Sequence, residues 1–311
     1  MGQIAFVFAG QGAQFPGMGK ALYGASPAAK AVFDLCESLR PGTLSQCFHG
    51  PKEVLNRTVH TQPCLFAMDL ACARAAQEAG LSPAACAGFS LGEVAAAAFA
   101  GVLTDIDAFA LVCRRGQYMD DCAQSQPGGM AAVLRLSAQQ VEAICQEIGG
   151  VYPVNYNAPG QIVVAGSEEA LLKLLPAVAA QKGRALPLAV SGAFHSPLMR
   201  DAAAKLHADL QALPLCAPTL PLYANVTAQP YPQRADEIAS LLSQQVQSPV
   251  LWQRTVESMA QRGIDTFVEV GAGKTLCGLV KKIVPTATVC RVEDPDTLAA
   301  AVAQVRGGAG C

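Results

Sequence analysis

Hydrophobic and polar positions along this chain fall into two textures. Residues 4–9 form an unbroken apolar run closed by Gly10, the pattern of a strand buried on both faces of a largely parallel sheet. Residues 84–89 read as a second short buried strand. The alanine-rich stretch 91–100 reads as a helix, with Glu93 in its first turn, where an acidic side chain meets the positive end of the helix dipole. Helical periodicity recurs over 28–38, 63–80 and 106–122, so helices alternate with few strands through the first third. That alternation predicts an α/β layered fold.

Between 130 and 190 the texture changes. An alternating strand at 130–136, a helix at 138–148, strands at 152–157 and 161–165, a helix at 168–181 and a strand at 184–190 give the order βαββαβ of a ferredoxin-like unit. Pro127-Gly128-Gly129 and Ser191-Gly192 supply hinges at its two ends. The predicted architecture is a discontinuous large α/β domain, 1–126 and 191–311, carrying an inserted ferredoxin-like small domain at 127–190, with the site in the cleft between them. The last third returns to the first texture, with a strand at 266–270, a helix at 275–283 and a strand at 289–292. The glycine-rich tail at 307–311 has little to pack and is expected to be mobile.

Composition narrows the function. Charged residues make up 15% and the formal net charge is −2, which leaves no electrostatic footprint for nucleic acid. No run of eighteen apolar residues occurs and the first ten lack a basic, apolar leader pattern, so neither a membrane span nor a targeting segment is expected and the location is read as cytoplasmic. The twelve cysteines contain no C-x-x-C pair and no histidine at zinc spacing, so a metal site is not expected and the thiols read as small buried hydrophobes in a reducing compartment. The glycine-rich loop 10–19 lacks the Gly-Lys-Ser/Thr ending of a phosphate-binding loop.

The chemistry centres on Gly88-Phe89-Ser90-Leu91-Gly92. In a G-x-S-x-G turn between a strand and a helix the serine backbone is strained, the glycines make room, and the hydroxyl is exposed as a nucleophile. The backbone N–H of Leu91 is then a candidate oxyanion donor, and acyl transfer the implied reaction. Of the histidines, His195 is the best placed base, in a loop at the exit of the predicted insertion. His207 sits among helix formers, while His49 and His60 read as surface or capping residues. No carboxylate between Ser90 and His195 stands out as the acid of a triad; Asp105 reads as a helix cap, and a backbone carbonyl is a further orienting acceptor. Arg114 and Arg115 close an otherwise apolar helix; such arginines are usually solvated, whereas a buried one offers a planar fork for a substrate carboxylate.

Taken together, Phe8-Ala9-Gly10-Gln11-Gly12, the Ser90 motif through Glu93, Arg115-Gly116, Asn155 through Gln161, Gly192-Ala193-Phe194-His195 and Glu269 through Gly273 resemble the malonyl-CoA:acyl carrier protein transacylases, in family order over nearly the whole chain. The resemblance implies an α/β-hydrolase-like large domain. It also implies that Ser90 takes the malonyl group from malonyl-CoA as an ester, with His195 as base, and that the phosphopantetheine thiol of acyl carrier protein then removes it, in fatty acid biosynthesis. Gln11 and Leu91 match the oxyanion-hole positions, Arg115 the residue that holds the malonyl carboxylate, and Gln245 the position whose main-chain carbonyl orients the histidine. No cofactor beyond the two substrates is implied.

Phe89 departs from the histidine common before the nucleophile and is expected to alter packing or selectivity. Phe194 resembles the form found in malonyl-selective relatives, where its ring crowds a 2-methyl group, a discrimination of about 1–3 kcal/mol. Lys274, Lys281, Lys282, Lys182 and Arg184 are candidates for docking an acidic carrier protein. Other readings of the same residues are an acyltransferase of a polyketide assembly line, a hydrolase that edits acyl carriers, and a catalytically silent docking module.

Overall fold

A computed structural model describes residues 2–307; of the tail expectation, positions 308–311 lie outside them. The strands are β1 (Gln3–Phe8), β2 (Ala85–Gly88), β3 (Gly129–Leu134), β4 (Val151–Ala158), β5 (Gln161–Gly166), β6 (Arg184–Pro187), β7 (Leu222–Tyr223), β8 (Ile264–Val270) and β9 (Thr288–Val292). Five of them form one sheet in the order β7-β2-β1-β8-β9, every pair parallel. Strand β1 lies at its centre, and successive side chains of a strand point to opposite faces. Phe6 and Phe8 accordingly join a core with helices Thr58–Glu78, Leu91–Phe99 and Asp105–Ser125. Ala5 and Val7 join a second core with helices Trp252–Gln261 and Thr275–Ile283. The continuous apolar run at the start of the chain is therefore a strand covered on both sides.

The other four strands form an antiparallel sheet in the order β4-β5-β3-β6. Ala131, Val133, Ile162 and Val164 face helices Ala138–Ile148 and Glu168–Ala180. Met130, Val154, Val163 and Ala165, on the opposite face, pack into the core of the parallel sheet. This sheet thus has one face for its own helices and one for the larger layer.

Several boundaries differ from the sequence reading. The helix expected from 63 begins at Thr58 and carries Pro63 inside it, in its second turn, where the ring supplies no N–H to the i→i−4 ladder. Strand β6 stops at Pro187 rather than running to 190: Leu188 still donates to Met130 O at 2.9 Å, but Val190 donates back to Leu188 O at 3.0 Å and turns the chain away. Thr104, not Asp105, caps its helix by accepting from the Asp107 N–H. His60, read as a surface or capping residue, is half-buried in the first turn of the Thr58–Glu78 helix, its Nδ1 2.9 Å from Arg40 Nη2. The edge strand β7 is only two residues long, too short for periodicity to reveal. No helix among the described residues is long and apolar enough to cross a membrane.

Candidate active site

Strand β2 ends at Gly88, and Ser90 follows at φ 54°, ψ −106°, immediately before helix Leu91–Phe99. A non-glycine residue in such a conformation stores about 1–3 kcal/mol, which its surroundings must offset. Both motif glycines are required by contact between main chains. A Cβ on Gly88 would lie 1.9 Å from the carbonyl carbon of Gly92, and one on Gly92 would lie 2.4 Å from Phe8 O. Asn225, just after β7, braces the turn: its Oδ1 accepts from Ser90 N–H at 2.8 Å and its Nδ2 donates to Gly88 O at 2.6 Å.

His195 meets this turn from 105 residues away, Nε2 lying 2.7 Å from Ser90 Oγ. Its other ring nitrogen, Nδ1, lies 2.9 Å from the main-chain oxygen of Gln245. A carbonyl can only accept, so Nδ1 carries the proton and Nε2 is left to receive that of Ser90. The backbone is anchored as well, His195 N–H donating to Val246 O at 2.9 Å. Burial, reinforced by the charge of Arg115, lowers the imidazole to about 4, against the opposing pull of the Gln245 carbonyl. The ring is thus a neutral acceptor at ordinary pH.

Arg114 and Arg115 are adjacent in sequence and separate in role, because consecutive helical residues point about 100° apart. Arg114 turns outward to Asp209, 2.9 Å away. Arg115 is 2% exposed. Its Nη1 donates to Gln62 Oε1 at 2.8 Å, and its Nη2 to Gln245 Oε1 at 2.8 Å and Ser90 Oγ at 3.3 Å. Burial lowers it to about 10, with Glu93 pulling upward, so it stays charged at neutral pH.

A cavity of about 250 Å³ opens over the serine. Gly10, Gln11, Phe89, Phe194 and His195 line it from the parallel-sheet side, and Met130, Asn155, Asn157 and Val163 from the antiparallel sheet. The Gln11 side chain donates to Thr58 Oγ1 at 3.4 Å, leaving its main chain beside the cavity floor. Leu91 is the first residue of the helix after Ser90. Phe89 sets its ring edge-on against Trp252, centroids 5.4 Å apart, and Phe194 is buried in the wall. Lys282 donates to Oε1 of Gln161, a cavity-lining residue, at 2.9 Å. Among the described residues no group of His, Cys, Asp or Glu is arranged to hold a metal ion.

The seven other site residues named from sequence, Gln11, Phe89, Leu91, Arg115, Phe194, His195 and Gln245, thus lie around Ser90 or line the cavity over it. Gln62, Asn225 and Tyr231 were not anticipated. Glu93, expected only to complement the helix dipole, is fully buried, and its isolation in an otherwise apolar helix is the signal in the sequence.

A strained serine facing a neutral imidazole at the end of a parallel strand is the site of a serine acyltransferase. Residues 5–293 match the acyl transferase domain family. The chain is 39% identical over 309 residues to the malonyl CoA-acyl carrier protein transacylase of Bacillus subtilis, covering 97% of each. Among solved structures it resembles the malonyl CoA-acyl carrier protein transacylase of Clostridium perfringens, with TM-score 0.95 and 36% identity over 99% of this chain and 98% of that one. It also resembles a malonyl-transacylase in complex with a type II PKS acyl-carrier protein, with TM-score 0.93 and 36% identity over 97% and 99%. The chain belongs to the acyl transferase family, and within it to the malonyl CoA-acyl carrier protein transacylases.

Proposed function

We propose that this protein transfers the malonyl group of malonyl-CoA to the phosphopantetheine thiol of acyl carrier protein through an ester on Ser90. The observation that carries this reading is the buried Arg115 guanidinium 3.3 Å from the hydroxyl of Ser90, itself 2.7 Å from His195 Nε2. A cation beside the nucleophile suits an acyl group that ends in a carboxylate.

Ser90 Oγ attacks the thioester carbonyl as its proton passes to His195 Nε2. The carbonyl oxygen takes up the negative charge against the N–H groups of Leu91 and Gln11. The carbon–sulfur bond then breaks, and the coenzyme A sulfur leaves with the proton from His195. In the second half, the carrier thiol gives its proton to His195 and attacks the malonyl-serine ester, and Ser90 is released with that proton restored. Arg115 holds the distal carboxylate through both halves, and no cofactor is needed in this scheme.

The four-stranded unit is read as a ferredoxin-like domain, 127–190, inserted in an α/β-hydrolase-like domain, 1–126 and 191–311; its strand order β4-β5-β3-β6 supports this. A cytoplasmic location is part of this reading, and the free, mostly buried cysteines among the described residues are in keeping with a reducing compartment. The likeness to the complex with a type II PKS carrier favours, as a second reading, a polyketide carrier as acceptor; transfer rates to the two carrier types separate the readings. Intact-protein mass spectrometry after mixing with malonyl-CoA tests the reaction itself. The wild type gains one malonyl mass and Ser90→Ala none; an unlabelled wild type ends the proposal.

A further inference from the structure

Glu93 is fully buried three residues after the nucleophile, in the first turn of a helix whose other side chains are apolar. A carboxylate there must be matched by donors, since an unpaired buried charge is strongly disfavoured. Three donors surround it. Tyr231 donates its hydroxyl to Oε1, while Oε2 accepts from Gln245 Nε2 at 2.8 Å and from the Asn225 N–H at 3.3 Å.

Gln245 is the residue that all the reacting groups share. Its main-chain oxygen holds His195 Nδ1, its Nε2 donates to Ser90 O at 2.6 Å, and its Oε1 accepts from Arg115 Nη2 at 2.8 Å. A primary amide has two faces, and nothing in its own shape selects one. Here Ser90 O, a pure acceptor, and Glu93 Oε2, which also accepts from the Asn225 N–H, demand the NH₂ on their side, and so turn the oxygen toward Arg115. With the amide reversed, its oxygen would face two oxygens and its NH₂ would face the guanidinium donors.

We propose that Glu93 is a positioning residue for malonyl transfer, fixing the sense of the Gln245 amide so that Arg115 stays aimed at the acyl end of the substrate. This rests on the malonyl reading above. Burial outweighs the donors and leaves Glu93 raised to about 7, although Tyr231, Gln245, the Asn225 N–H and Arg115 all favour its charged form.

The test compares malonyl-CoA and acetyl-CoA as donors to carrier protein for the wild type, Glu93→Gln and Tyr231→Phe, with malonyl-serine formation by the wild type as control. Glu93→Gln puts a second NH₂ group among the donors and removes one of the two acceptors that hold the Gln245 NH₂ in place. Malonyl kcat/KM is expected to fall at least tenfold more than acetyl kcat/KM, because only malonyl uses the aim of the guanidinium, an effect of roughly the size of one lost charge-assisted hydrogen bond. Tyr231→Phe, which keeps the carboxylate but loosens it, is expected to lower the same ratio by about threefold; it carries the test should Glu93→Gln fail to fold. Equal losses for both donors, or an unchanged ratio in Tyr231→Phe alone if only it folds, overturn the positioning role in an enzyme that still malonylates. A wild type that forms no malonyl-serine instead overturns the parent reading, and this inference with it.

Discussion

The imidazole of His195 leans on a main-chain oxygen, that of Gln245, at 2.9 Å from Nδ1. A neutral acceptor stabilises the imidazolium less than a carboxylate does, and with burial and the Arg115 charge the ring is held at about 4. In kcat/KM, which reports the free enzyme, the base therefore stays competent well below the ordinary histidine value. The rate of Ser90 acylation is expected to hold as pH falls through 6.5 and to decline only toward 4. A stopped-flow pH profile with an acid limb near 6.5 would contradict this. For the same reason, release of free malonate without a carrier should be slow.

Arg115→Ala removes the only cation in contact with the Ser90 hydroxyl among the described residues. Malonyl turnover is expected to lose about 2–5 kcal/mol of transition-state stabilisation, with uncharged acetyl groups largely spared. Parallel kinetics with the two donors check it, and equal losses would rule out a carboxylate clamp.

Gly88→Ala and Gly92→Ala each force a methyl into another segment's main chain, at 1.9 and 2.4 Å. Neither neighbour is a side chain that can swing aside, so each change should cost about 3 kcal/mol or more. Urea unfolding measures this directly; losses under 1 kcal/mol would mean that the strand and helix can part.

Asp69 is fully buried and neither of its carboxyl oxygens finds a partner. Burial, aided by the charge of Glu269, raises its pKa well above the ordinary value. Above 3.8 the unfolded chain releases a proton that the native carboxyl keeps, so stability falls as pH rises through the window between that value and the native one. Asp69→Asn carries no such proton, and its stability should decline less between pH 5 and pH 8. Parallel declines in urea midpoint across that range would remove Asp69 as the source.

Lys282 bonds Gln161, which lines the cavity, and Lys281 precedes it on the same helix. If they meet an acidic carrier, Lys281→Glu with Lys282→Glu should raise the carrier KM about tenfold and flatten its salt dependence. Unchanged carrier kinetics would exclude these two.

What could be read in advance followed from locality. The run at β1 and the glycines around Ser90 report backbone needs within a few residues, and both were legible. His195 was legible as a loop histidine, but its distance from Ser90 depends on where Val246 holds the loop, a contact 51 positions away that no period encodes. Periodicity could not tell Arg115 from Arg114; the resemblance singled out Arg115, and in the structure it is Arg115 that meets Gln62 and Gln245. Asn225 and Tyr231 follow the two-residue strand β7, whose brevity hid the segment from any pattern. Resemblance supplied Gln245 as a carbonyl; its side-chain amide, bridging Arg115 and Glu93, emerged only in three dimensions.

The close approach of Gly88 to Gly92 makes the seat of the hydroxyl a property of the chain's skeleton. Ornament on the helix cannot nudge it. Substrate preference in a molecule built this way has to be tuned from the walls, at Phe89, Phe194 and the facing sheet, while the point of attack stays where it is.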